Sequence, residues 1–513
     1  MTIGTPDDHR ARRAGPAPVP VAVALPGAGA LAWRFAWPRR LAAVAALSLG
    51  LMLLALVRPI DHDESQYVAA TVLALHGLPY RDFAYLQTPL QPILLAPVAM
   101  IAGTWLYPVL RFVNALLGAA ALIASFAAAR EAGASPRAAA LATAMMACTD
   151  IFLFTSAVAR NDALPGAALA TALWLAVRAA HGRGSRLGAL LAGMLLALAA
   201  AVKISFAIPA LGYGLYALVD RRHRPAMLAL GAAPVVIVTA ALFIAAPEGF
   251  LFGVLRFPAL APIEWYRAQH LPAKLSLLGK GLDTIKFLAL GPALLALVLT
   301  ARARQKGSAA RLLDLFLVSG IVAALLPVPT WRQYLLPILP ALFVRLALLW
   351  HAHPPGRALR IAAVVFAVGG LAPSIEAMGG AIAGGPPLLA VIDAGKALRA
   401  RFIAAGGTGP VATLAPQILP GARLEIDPRF AAGPFYFRSQ GLLDARAEAR
   451  LHLVSRATLA QARPPRAIVT GGEGAWSAGE ARDEAPLIGY ARAHGWRRLP
   501  VAGTRLTLWL PPR

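Results

Sequence analysis

Three carboxylates stand within four residues at Asp61-His62-Asp63-Glu64, directly after the first long apolar run, Leu41–Val57. Carboxylates beside a bilayer are costly to desolvate and are kept there for a reason. Acids flanking an imidazole suit a divalent metal, but adjacent residues in a chain rarely all aim at one ion. No metal or other cofactor is therefore expected. The same acids could cap the helix that starts near Ser65, a role that fits Asp61 better than Asp63. Further charges recur at the ends of later apolar runs: Arg111, the turn Arg160-Asn161-Asp162, Lys203 and Arg332. Acids and bases gathered on one membrane face are what an active site requires. Each has a plainer reading as well. Asp162 could cap the next helix, Lys203 could snorkel, Arg111 could pair with an acidic neighbour, and Arg332 could anchor the interface beside Trp331. Tyr67 and Tyr334 suit packing or substrate positioning equally.

The elements that must hold these residues are apolar helices. Of the 513 residues 58% are hydrophobic and only 14% charged, with a mean hydropathy of +0.63. Runs long enough to cross a bilayer recur from Leu41 to Met378, which is an α-helical polytopic membrane protein surrounded by lipid. The formal charge of +25 sits mostly in short loops between apolar runs, without a basic stripe carrying interleaved aromatics. That is the positive-inside pattern, and no nucleic-acid partner is expected. Cys148 is the single cysteine, which excludes a disulfide within the chain and a zinc site of cysteine type. No Walker loop, nucleophile elbow or dinucleotide fingerprint is present.

The basic loops also set the expected orientation. Arg10, Arg12, Arg13, Arg39 and Arg40 hold the N-terminus in the cytoplasm, so the acidic loop falls outside. Residues 1–40 read as a disordered cytoplasmic tail. Residues 41–378 form the transmembrane part, with an outer loop over 58–108. Within it Pro89–Gly103 reads as an interfacial or re-entrant helix, because prolines 89, 92 and 97 crowd its start. Arg137–Ala157 and Leu282–Thr300 read as single spans, and Pro247–Gly281 as a longer outer loop. The alternation gives about 11 crossings and a C-terminus outside. Residues 379–513 read as a small α/β domain. Its strand-like runs are Pro410–Leu414, Arg466–Thr470 and Thr504–Leu510, and its helix-like stretches are Leu442–Leu451 and Glu484–His494.

Taken in order, these features resemble integral-membrane glycosyltransferases of the GT-C fold, of the protein O-mannosyltransferase and aminoarabinose lipid A transferase superfamily. The resemblance runs over about residues 41–350 and rests on the order and spacing of motifs. They are Asp63-Glu64, Tyr67, Gly77-Leu78-Pro79-Tyr80-Arg81-Asp82, Thr88-Pro89-Leu90, Arg111, Asn161-Asp162, Lys203 and Arg332-Gln333-Tyr334-Leu335-Leu336-Pro337. It implies transfer of a sugar from a polyprenyl-phosphate donor to a glycan, lipid or protein acceptor of the cell envelope. The reaction would run on the outer face of a bacterial inner membrane. It further implies Asp63 as general base, with Glu64 and Asp162 as its acidic partners. Arg111, Lys203 and Arg332 would bind the lipid phosphate, and Tyr67 and Tyr334 would position substrate. Some relatives carry a basic residue where Thr88 precedes Pro89, so that contact is lost or supplied elsewhere here. The competing readings are a lipid or glycan transporter and a catalytically inactive relative. A transporter should carry its ionisable groups near mid-membrane in broken helices.

Overall fold

The computed structural model describes residues 1–2, 27–303, 307–439, 441–474 and 480–512. Two compact units divide the chain, Met1–Leu47 and Ser48–Arg513. Helix α1 (Gly27–Val57) starts in the first unit. Of the tail expected over 1–40, residues 3–26 lie outside the described residues. Residues 27–40 are helical, because Ala, Leu and Arg extend the helix that the apolar run nucleates.

In the second unit α2 (Glu64–Leu73) and α3 (Leu90–Ala102) precede α4 (Leu106–Glu131). Then come α5 (Pro136–Ala147), α6 (Asp150–Ala157), α7 (Ala163–Ala180), α8 (Arg186–Val202), α9 (Ala207–Val219) and α10 (Pro225–Ala245). The expected outer loop over 247–281 is helical: α11 (Pro247–Leu251), a π-helical turn at Phe252–Arg256, and α12 (Phe257–Ala268). The bundle continues with α13 (Leu277–Ala289), α14 (Ala293–Arg302), α15 (Ser308–Leu325), α16 (Leu339–Ala352) and α17 (Arg357–Gly384). Among the described residues six helices are long and apolar enough to cross a membrane, or up to eight if each bent pair is one span. Three shorter apolar helices, Leu41–Val57, Arg186–Val202 and Ile204–Val219, stand beside them. The chain is a multi-pass helical membrane protein.

Two runs expected as straight spans are broken. α5 and α6 bend by 67°, and α13 and α14 by 101°. The breaks meet: the Asp150 amide donates to the Leu290 carbonyl at 3.0 Å, and Thr149 Oγ1 accepts from the Phe152 amide at 3.3 Å to start α6. Broken backbone is tolerated at membrane depth where neighbouring protein satisfies it. Apolar periodicity carries no sign of the α5–α6 break, because both halves remain apolar, whereas Gly291-Pro292 marks the α13–α14 break locally.

Where α8 meets α10, the backbones approach through two glycines. A Cβ on Gly193 would lie 2.0 Å from the Leu228 carbonyl oxygen, and one on Gly231 would lie 1.9 Å from that of Leu190. Small residues of this kind are how apolar helices pack closely in lipid. Gly193→Val should therefore lower stability by about 1–3 kcal/mol through overpacking. A lower melting temperature of the detergent-solubilised protein would show it, and an unchanged one would refute the close approach.

After α18 (Pro387–Ala404) come β1 (Val411–Ala412), β2 (Ala467–Thr470), β3 (Arg497–Pro500) and β4 (Thr507–Leu510). They form one sheet in the order β1-β2-β4-β3. β1 runs parallel to β2, and the other pairs are antiparallel, with Trp509 opposite both Ile468 and Arg498. Three strands fall on runs visible in the sequence. β3 does not, because Arg-Arg-Leu-Pro is an edge strand with alternating exposure and a terminal proline. One core joins this segment to the acidic loop: Val68, Leu106 and Leu110 pack with Leu398, Val469 and Leu508.

The basic loops gather at one end of the bundle. Arg183 pairs with Glu131 at 3.0 Å, while Arg222 Nη1 and Ser308 Oγ both donate to the Ala180 carbonyl, at 3.2 and 3.1 Å. A cavity of about 870 Å³ opens there, lined by His181, Arg302 and Trp350. α7 runs 18 residues from that end to Asp162, or about 27 Å at 1.5 Å per residue.

Candidate active site

Everything at the opposite end depends on the turn Val158-Ala159-Arg160-Asn161-Asp162 between α6 and α7. Asn114 Nδ2, from α4, donates to the carbonyls of Val158 and Arg160 at 2.6 and 2.8 Å. Gln91 Nε2, from α3, donates to the Arg160 carbonyl at 3.0 Å. Glu64 Oε1 accepts from the Ala159 amide at 2.5 Å. Polar side chains thus take up the backbone groups that the turn leaves unpaired in a buried place.

Glu64 is itself completely enclosed. Arg111 Nε reaches Oε1 at 2.8 Å, Arg111 Nη2 reaches Oε2 at 2.5 Å, and Tyr107 Oη donates to Oε2 at 2.6 Å. Arg111 gives its remaining N–H groups to the carbonyls of Ala55, Arg58 and Pro59, at 2.8 to 3.0 Å. All five guanidinium donors are used. Both residues, expected in the sequence as catalytic acid and phosphate ligand, face each other inside the protein.

The turn aims Arg160 at the acidic loop. Its Nη1 pairs with Asp63 Oδ2 and lies 3.1 Å from Asp61 Oδ1, and its Nε lies 3.2 Å from Asp162 Oδ2. Asp162 also pairs through Oδ1 with Lys203 Nζ, whose charge sits 5.4 Å from the Tyr334 ring centre. Asp162 makes no side-chain cap bond to α7, so the expected alternative of a simple cap does not describe it. Tyr67 and Tyr334 both lie close enough to Arg160, Asp63 and Asp162 to feel their charges.

Asp63 and Asp61 are both partly open, with 19% and 18% of their side chains exposed, while Glu64 and Asp162 are fully enclosed. Asp63 Oδ1 lies 3.2 Å from His62 Nε2. Burial raises its proton affinity, but Arg160, the His62 hydrogen bond and the charges of His62 and Arg438 more than offset this. Asp63 is held well below the usual carboxylate range. Asp61 goes the other way: burial and the charge of Asp63 raise it despite Arg160. Two carboxylates sharing one guanidinium are driven apart in this manner.

A second cluster lies alongside. Asp150 is buried at the start of α6, with Arg58 Nη2 at 3.1 Å from Oδ1 and Arg332 Nη1 at 2.9 Å from Oδ2. Phe154, one turn on, joins the clusters: the guanidinium carbons of Arg332, Arg160 and Arg58 lie 3.5, 5.5 and 5.7 Å from its ring centre. Arg332 is 29% exposed. The motif Gly77–Asp82 stays outside these clusters; Asp82 Oδ2 accepts from the Leu78 amide at 2.7 Å and closes a surface turn with Arg81. Among the described residues no group of three or more His, Cys, Asp or Glu side chains is arranged to hold a metal ion.

Sequence reasoning missed Asp150, Arg58 and the central role of Arg160. The signal for Asp150 was present, since one acid inside an apolar run is a functional candidate in its own right.

Residues 103–254 match the family described as dolichyl-phosphate-mannose-protein mannosyltransferase. No protein with a curated description matches the chain in sequence. Among solved structures, ArnT from Cupriavidus metallidurans bound to undecaprenyl phosphate is 16% identical, with a TM-score of 0.59 over 92% of this chain and 99% of that one. The same protein in the apo state gives 16% identity and a TM-score of 0.57 over 93% and 100%. The chain has the GT-C fold.

Proposed function

We propose that a chain with this fold and this cluster is a glycosyltransferase that takes its sugar from a polyprenyl-phosphate donor. The acceptor, a glycan, lipid or protein of the cell envelope, would receive it at the membrane face that carries the acidic loop. The observation that carries this reading is Asp63, a partly open carboxylate kept ionised beside Arg160 at the same end as Arg332. The acceptor hydroxyl gives its proton to Asp63 as its oxygen bonds to the anomeric carbon. The bond from that carbon to the phosphate oxygen breaks, and the ionised carboxylate stabilises the oxocarbenium character that develops. The departing lipid phosphate needs cations. Arg332 suits this best, since it spends one N–H on Asp150 and is part exposed, and Lys203 stands across Tyr334. Tyr67 and Tyr334 shape the space between base and cations. We assign Glu64 and Arg111 to holding the turn rather than to base chemistry or phosphate binding, because no donor of Arg111 is left for a ligand. Asp162 fixes Arg160 and Lys203.

The gathering of the basic loops at the opposite end supports a cytoplasmic N-terminus and an outer site in a bacterial inner membrane. The placing of Asp61, Asp63, Glu64 and Asp162 beside helix ends favours a transferase, while Asp150 at the α5–α6 break is the feature that a transporter would share.

The test is transfer of radiolabelled sugar from undecaprenyl-phosphate donors to cell-envelope fractions by the purified protein. No transfer from any such donor, together with no binding of undecaprenyl phosphate, would overturn the reading. Within the assay, Arg332→Met removes hydrogen bonds to a charged group worth about 1.5–3 kcal/mol, so KM for the donor should rise roughly 10- to 100-fold. An unchanged KM would remove Arg332 from the phosphate site.

A further inference from the structure

The cavity of about 870 Å³ at the end of the bundle away from the acidic loop takes no part in the chemistry above. α7, α14 and α16 finish beside it, and α15 and α17 start beside it, after Gly307 and Gly356. The carbonyl ends are closed from within the protein. Arg222 and Ser308 donate to the Ala180 carbonyl, His181 Nδ1 to that of Val177 at 3.0 Å, and Arg345 to that of Ala303 at 3.4 Å. The amino ends are left open. Glycine is the N-cap of both α15 and α17, and neither helix has a side-chain cap bond. The first-turn amides therefore leave partial positive charge at the cavity. Arg302 and His353 add basic side chains to the lining, which contains no aspartate or glutamate.

Trp350 supplies a second, independent observation. It lines the same cavity, is 3% exposed, and its Nε1 hydrogen has no partner. A buried indole N–H ordinarily finds an acceptor, and leaving it without one is costly. Uncapped helix starts, an arginine and an unspent indole N–H together suit a ligand that is anionic and rich in acceptors. The rest of the lining says what carries that anion. Leu299, Leu349 and Leu359 share the cavity. Past Leu359, α17 exposes Ile361, Val364 and Val365 at 55, 62 and 64%. An exposed apolar face on a helix long enough to span the bilayer is where acyl chains lie.

We propose that this cavity binds the headgroup of an anionic phospholipid from the leaflet on the side of the basic loops. The phosphate oxygens accept from Trp350 Nε1, Arg302 and the uncapped amides, and the acyl chains run along α17. Basic pockets between spanning helices hold lipid phosphates in this way, and the volume is that of a small-molecule site. A lipid held there touches the ends of α7, α14, α15, α16 and α17 at once, so its binding to the folded form raises stability. The site is independent of the roles given to Asp63 and Arg332; only the naming of its leaflet as cytoplasmic rests on the positive-inside reading.

The test is native mass spectrometry of the full-length protein in neutral detergent, without sugar donor, titrated with phosphatidylglycerol or phosphatidylcholine. Phosphatidylglycerol should bind about tenfold more tightly than phosphatidylcholine, and it alone should raise the melting temperature. Arg302→Gln, a change on an exposed side chain that should fold as the wild type does, should weaken phosphatidylglycerol about tenfold. Trp350→Phe keeps an aromatic ring, removes the N–H and should also weaken it, while Arg302→Lys should keep most of the affinity. Arg332→Met, at the far end, should leave phosphatidylglycerol binding unchanged. Equal affinity for the two lipids, or wild-type affinity in both Arg302→Gln and Trp350→Phe, would overturn the proposal. Loss of binding in Arg332→Met would place the lipid at the donor site and overturn it as well. Displacement of phosphatidylglycerol by an equal concentration of inorganic phosphate would overturn the lipid in favour of a free anion. None of these outcomes bears on sugar transfer, which the Asp63 and Arg332 variants test separately.

Discussion

Asp63→Asn should lower the rate of sugar transfer by about 10²–10⁴-fold, the range that a positioned base contributes. The substitution keeps the shape and can still accept a hydrogen bond from Arg160, but it can neither take a proton nor carry the negative charge that faces the oxocarbenium-like sugar. Donor binding should survive, because the proposed phosphate ligands are Arg332 and Lys203, so the loss should appear in kcat rather than in the donor KM. The protein should still fold, since Arg160 keeps Asp61 and Asp162, but it loses at neutral pH the stabilisation that ionised Asp63 contributes. The pH dependence of stability gives a second readout. Folding lowers the proton affinity of Asp63, so its stabilising effect is present above the unfolded value of about 3.9. That effect is lost as pH falls through the folded value. Asp63→Asn should therefore flatten the acid side of the stability profile. Transfer at the wild-type rate would end the assignment.

Arg111→Met should have the largest effect on the fold. It leaves the Glu64 carboxylate at 0% exposure without its counter-charge, and removing one partner of a buried pair costs about 3–5 kcal/mol. The carbonyls of Ala55, Arg58 and Pro59 lose their donor as well, so the end of α1 loosens with the pair. The expected outcome is a large fall in melting temperature and in the yield of folded protein from detergent. Combining Arg111→Met with Glu64→Gln should recover part of the loss, because no unpaired charge then remains. If the two single changes simply add, the pair is not coupled, and the turn at 158–162 is held by other contacts. Activity should follow stability here, since Glu64 also fixes the Ala159 amide and through it the aim of Arg160.

The chain's local patterns determined a good deal. Apolar runs and basic loops marked a multi-pass membrane protein, the Asp61–Glu64 cluster marked the loop proposed to carry the chemistry, and three of four strands lay on visible β-like runs. These features are local: a run, a spacing or a charge next to a helix end can be read from neighbouring residues alone. The partners of those charges are not local. Arg160 meets Asp61 across 99 positions, Arg58 meets Asp150 across 92, and Arg332 meets Asp150 across 182. The α5–α6 break turns an apparently uniform span into a support for Asp150, and the turn at 158–162 brings Arg160 among three carboxylates.

Glu64 shows the division most clearly. Beside Asp63 in the sequence it has the same chemistry, yet one residue along the chain at the start of α2 points it inward to Arg111 while Asp63 stays partly open. Helix geometry separates the two, and packing then gives one acid five hydrogen bonds and the other a route to solvent. The amino-acid sequence by itself determined which residues could react; tertiary structure decided which of them are free to, because burial and counter-charge are set by elements distant in the chain.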